Sequence, residues 1–62
     1  PTNHPSLGIS YTNLGCLYSK LKEYTKAVAL LRSALDIFKA SLPPTHPHIS
    51  LVLGHMENIR RS

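Results

Sequence analysis

"YTNLGCLYSKLKEY", residues 11–24, places a glycine and a cysteine in the middle of what otherwise reads as an amphipathic helix. Leu7, Tyr11, Leu14, Tyr18 and Leu21 recur at spacings of three and four, which lines them along one helical face. Glycine costs roughly 1 kcal/mol of helix propensity relative to alanine, so Gly15 is tolerable only where close packing returns more. The stretch therefore predicts a helix that another helix approaches very closely at Gly15.

Outward from this stretch, Pro5 sits where its missing N–H belongs to a first helical turn, so the first helix is expected from about Pro5 to Lys20. Lys20-Leu21-Lys22-Glu23 must then turn the chain without a glycine. Tyr24, Ala27, Val28, Leu31, Ala34, Leu35, Phe38 and Leu42 restore the rhythm of a second helix, which ends before Pro43-Pro44 because proline pushes its predecessor out of helical geometry. Pro47 opens a third helix carrying Ile49, Leu53, Met56 and Ile59. Two helices joined by so few residues lie antiparallel as a hairpin. The expected fold is all-α, about three helices, with the third starting a new layer.

Sixty-two residues allow one small domain or a fragment, because a core of this size rarely supplies more than ~3–5 kcal/mol. The lone Cys16 closes no internal disulfide and suits a reducing, intracellular (cytoplasmic) setting. No apolar run approaches the ~20 residues of a membrane span. Seven basic residues against three acidic ones leave a net charge of +4, scattered and not striped. Arg60-Arg61-Ser62 ends without a helix-stop residue, which reads as a cut from something longer.

Shifting the sequence by 42 residues superposes Pro1 on Pro43, His4 on His46 and Pro5 on Pro47. The apolar positions follow: Leu7 meets Ile49, Ile9 meets Leu51, Tyr11 meets Leu53, Leu14 meets Met56 and Leu17 meets Ile59. The repeating unit is thus a hairpin plus a proline-rich connector, expected over residues 4–45, with 46–62 the first helix of a following capping or truncated unit.

"NLGCLYSKLKEYTKAVALLRSALDIF", residues 13–38, resembles the tetratricopeptide repeat (TPR), an α-solenoid of stacked hairpins. Leu14-Gly15, Tyr18, Ala27, Leu31 and Ala34 fill the places of that pattern. The 42-residue spacing and the "SLPPTHP" connector look like the longer variant of kinesin light chains. The resemblance implies repeat packing by Tyr11, Leu14, Gly15, Tyr18, Ala27, Leu31, Ala34 and Phe38, with the small residues where successive hairpins approach. Lys22 stands where many such repeats have a turn glycine, and Glu57 stands opposite Gly15 in the second copy.

The resemblance also implies a concave groove lined by first helices, where an asparagine before the Leu-Gly pair contacts peptide backbone. Asn13 holds that place, and an amide both donates and accepts. Ile9, Thr12, Cys16, Ser19 and Lys20 share its face, and His55 replaces Asn13 in the second copy. A solvated helix face is the plainer reading of each residue alone.

Other chemistries lack their residues. His4 and His46 precede proline at equivalent points, which suits a connector, and no Cys or carboxylate set completes a metal site. No motif activates Cys16 as a nucleophile, and three scattered acids form no carboxylate pair, so neither an enzyme nor a cofactor is expected. The basic balance admits single-stranded nucleic acid with Tyr11 or Tyr18 stacking bases, although both tyrosines fit the packing pattern. The expected function is a protein-interaction scaffold presenting a groove to a peptide or partner protein, with a structural spacer repeat as a further alternative. One and a half units leave an apolar edge, so the isolated chain is expected to self-associate as a homo-oligomer or domain swap.

Overall fold

The computed structural model describes residues 5–61, three helices in sequence: α1 (Pro5–Lys20), α2 (Tyr24–Ser41) and α3 (Pro47–Arg61). His4, where the first repeat was expected to begin, and Ser62 lie outside the described residues. α1 and α2 form the antiparallel hairpin: Gly8 faces Phe38 near one end and Gly15 faces Leu31 near the other. α3 packs on α2 and runs in the direction of α1, with which it shares few contacts.

The turn works without glycine by straining one residue. Lys22 adopts φ 63°, the left-handed conformation. Its N–H donates to the Ser19 carbonyl at 3.0 Å, and the Glu23 N–H donates to the Tyr18 carbonyl at 2.9 Å. This pair of bonds is a Schellman closure, which satisfies the last carbonyls of α1 and reverses the chain in three residues. At the other connector, the His48 N–H donates to His46 Nδ1 at 3.1 Å, so His46 caps α3 immediately before Pro47.

The core is Leu31, Ala34 and Phe38 of α2 with Ile49 and Val52 of α3. Tyr11, Leu35, Leu42, Met56 and Ile59 pack around it. Leu31, Phe38 and Val52 are its largest fully buried side chains, each stabilising the fold by roughly 1.5–3 kcal/mol. α2 touches both other helices, so its sequence carries the longest apolar stripe.

The buried side of α1 differs from the expected one. Gly8, Thr12 and Gly15 are buried, whereas Leu14 is 43% and Leu21 63% exposed. A Cβ on Gly15 would stand 2.7 Å from Leu31 Cγ and 3.3 Å from the Ala27 carbonyl oxygen. One on Gly8 would stand 2.7 Å from the Phe38 ring. The small residues let α2 lie directly over them, which swings the leucine row away and leaves Tyr11 and Tyr18 half-buried at the edge. The close approach at Gly15 is thus to the partner helix of its own hairpin, not to the next one.

Candidate functional site

α1 turns a second face toward α3. The periodicity that buries Gly8 and Gly15 against α2 places Ile9, Asn13, Cys16 and Lys20 about a quarter-turn or more away, with Thr12 and Ser19 between the two faces, and all six line the seam between α1 and α3. Two clefts follow one another along that seam. The first, about 110 Å³, is lined by Ile9, Thr12, Asn13, Phe38, His48 and Leu51. The second, about 320 Å³, is lined by Cys16, Ser19, Lys20, Leu31, His55 and Asn58. All seven groove residues named from the sequence therefore line one of the two.

Their chemistry is uneven. The first cleft is mainly apolar, with Ile9 and Leu51 half-exposed at its rim and the Phe38 ring at its base. The Thr12 hydroxyl donates to the Gly8 carbonyl at 2.8 Å, so this buried group is already satisfied within α1. Asn13 is exposed and lines this cleft. In the second cleft Cys16 Sγ and His55 Nε2 share a hydrogen bond at 3.3 Å, which joins α1 to α3. Lys20 is exposed beside them, and no carboxylate lines either cleft. Lys20 is the one Lys, Arg, Asp or Glu side chain lining the two clefts, so the seam's charge is positive.

The packing residues fall into three groups. Gly15, Ala27, Leu31, Ala34 and Phe38 are buried, Tyr11 and Tyr18 half-buried, and Leu14 faces solvent. His48, Leu51 and Asn58 line the clefts although sequence reasoning did not select them. The 42-residue shift held the signal for two of these, because it carries Ile9 to Leu51 and Cys16 to Asn58. Gly8 was also missed, though it lies seven residues from Gly15 and hence on the same face. Among the described residues no group of three His, Cys, Asp or Glu side chains converges. None of the described helices is long and apolar enough to cross a membrane.

Comparison with known proteins bears on the same segment. A family model of the tetratricopeptide repeat matches residues 8–48, from the first close-packed glycine of α1 through α2 and the connector into the start of α3. No curated protein and no solved structure matched the chain. With the family model covering more than half of the sequence and the helical hairpin in place, the chain belongs to the tetratricopeptide repeat family.

Proposed function

We propose that the seam between α1 and α3 holds an extended peptide segment of a partner protein. The chain itself is a non-catalytic, helical protein-interaction module of tetratricopeptide type. The observation that carries the peptide reading is the pair of clefts in series, one apolar and one polar, with Asn13 exposed at the first and Lys20 at the second. The Asn13 amide pairs with peptide backbone, an apolar side chain enters between Ile9 and Leu51, and Lys20 with His55 faces an acidic or polar group. The mechanism is passive, since helices already held in place spare the ligand part of the ordering entropy.

The test is a peptide array probed with the chain, followed by amide chemical-shift mapping with the best binder. Shifts at Ile9, Asn13, Cys16, Lys20, Leu51 and His55, with weakened binding in Asn13→Ala, are the expected result. Shifts confined to the outer face of α2, around Arg32, Asp36 and Lys39, would sink the reading. A polyanion that binds as well as any peptide, and is released steeply by salt, would favour nucleic acid instead.

Four finer readings complete the proposal. The unit is the longer, 42-residue form similar to that of kinesin light chains, which the matched prolines and apolar register of the two copies support. Residues 4–45 make one hairpin with its connector and 46–62 open the next. The isolated chain self-associates, supported by the half-exposed Leu14, Leu17, Leu51 and Leu53. Its setting is intracellular, supported by the single reduced cysteine.

A further inference from the structure

Along the sequence the basic residues are scattered, but the fold gathers five of the seven at one end. α1 and α3 run in the same direction, so Lys20 and Lys22 at the close of α1 come to the same side as Arg60 and Arg61 at the close of α3. The antiparallel α2 begins on that side and brings Lys26, and Val28 two residues on lines one recess with Glu57 and Arg60. All five cations are exposed. Glu23 and Glu57 are the acids there, and five charges against two leave +3 of the chain's +4 at this end.

Helix chemistry accounts for part of this cluster. A cation near a helix C-terminus faces the negative pole of the helix dipole, which suits Lys20, Arg60 and Arg61. The dipole disfavours Lys26 in the first turn of α2, and Lys26 instead lies 3.9 Å from Glu23, while Arg60 and Arg61 both pair with Glu57. Lys22 has no such explanation, because it holds φ 63° where glycine would be free of strain. Neither Lys20 nor Lys22 makes an ion pair among the described residues. The turn therefore keeps an unpaired ammonium at a position whose backbone works against any side chain, and strain of this kind concentrates at binding sites.

We propose that this end of the molecule docks an acidic segment of a partner protein, with the Lys20 and Lys22 ammonium groups as the principal contacts and Arg60 and Arg61 beside them. Glu23 and Glu57 decide between this occupant and a uniformly charged one. They interrupt the basic surface, so a lipid headgroup layer or a nucleic-acid strand would bring its evenly spaced negative charge up against both. A protein segment places single carboxylates on the unpaired lysines and neutral residues opposite the glutamates. The inference does not rest on the peptide seam, since of these five cations only Lys20 lines it.

The test is a titration of the chain with a glutamate decapeptide at physiological ionic strength, read by amide chemical shifts and by the anisotropy of the labelled peptide. Shifts should centre on Lys20, Lys22, Lys26, Arg60 and Arg61. Lys20→Gln with Lys22→Gln should weaken binding about tenfold, as the loss of two exposed ion pairs worth up to about fivefold each gives. Arg32→Gln with Lys39→Gln removes the same charge from elsewhere on α2 and should change the affinity less than about twofold, because salt screens charges beyond about 8 Å. Lys22→Gly should weaken binding about two- to fivefold while raising the thermal midpoint, which separates the ammonium's role in docking from any role in folding. Equal losses in the two double variants would assign binding to net charge and overturn the proposal. So would a Lys22→Gly chain that binds like the parent, or a decapeptide that does not bind at all. Phosphatidylserine vesicles or a single-stranded decanucleotide that bind this end more tightly than the decapeptide would assign it to lipid or nucleic acid, and overturn it too.

Discussion

Replacing Lys22 by glycine should stabilise the chain, although it removes a side chain and adds none. Lys22 is exposed at φ 63°, and both hydrogen bonds of the turn use backbone atoms, so glycine keeps the closure at Ser19 and Tyr18 intact. A residue with a Cβ in the left-handed region carries about 1–2 kcal/mol of strain. Glycine removes that strain and loses roughly 0.5–1 kcal/mol through its freer unfolded chain. The difference is a gain of about 0.5–1 kcal/mol, or roughly 2–8 °C in thermal midpoint for a domain of this size. Thermal unfolding followed by circular dichroism, with urea titration for the free energy, reads it directly. Lys22→Ala is the control: it removes the ammonium and keeps the Cβ, so its midpoint should stay near the parent value. Equal gains in Lys22→Gly and Lys22→Ala would show that charge, not backbone conformation, governs the turn. A fall in Lys22→Gly would refute the strain argument altogether.

The glycines should respond in opposite senses. Gly54→Ala meets no atom and should raise stability by about 1 kcal/mol, while Gly15→Val drives a branched side chain into Leu31 and should lose about 1–3 kcal/mol by chemical denaturation. His46→Ala should weaken the start of α3 by about 1 kcal/mol, and His46→Asp should restore it, with amide exchange at His48 and Ile49 as the local readout. The Arg60 guanidinium, with a smaller contribution from Arg61, holds the Glu57 carboxyl below its ordinary range. A depressed carboxylate contributes stability above its unfolded value and loses it as pH falls through the folded value, so the last turn of α3 should fray on acidification below the ordinary glutamate range. The cluster lies at the surface, so salt should weaken the effect, and a carbon-13 titration of Glu57 indistinguishable from a free glutamate would remove it.

Helix number, boundaries and hairpin topology were legible in the residues because they rest on local physics. Pro5, the Lys20–Glu23 interruption, Pro43-Pro44 and Pro47 punctuate three runs of helical period, and the structure breaks at those points. The repeat family was legible too, in Leu14-Gly15, Tyr18, Ala27, Leu31 and Ala34, and the family model matches the segment that holds them. The face of α1 proposed as a groove came from the family resemblance at Asn13, and its residues do line the seam. Its lining from α3 was only half readable, because which residues of two separate helices meet depends on how both seat on α2.

What tertiary structure decided was the rotation of α1. Hydrophobic periodicity favoured the row of Leu7, Leu14 and Leu21, yet the hairpin buries the side carrying Gly8 and Gly15 and leaves Leu14 and Leu21 outside. A leucine row and a glycine pair on neighbouring faces both offer a packing surface, and sequence alone does not rank them. The volume of Phe38 and Leu31 does: these side chains fill the space beside backbone that has no Cβ, and only one face of α1 provides it. The left-handed Lys22 is the same kind of result, a conformation imposed by two packed helices on the short link between them.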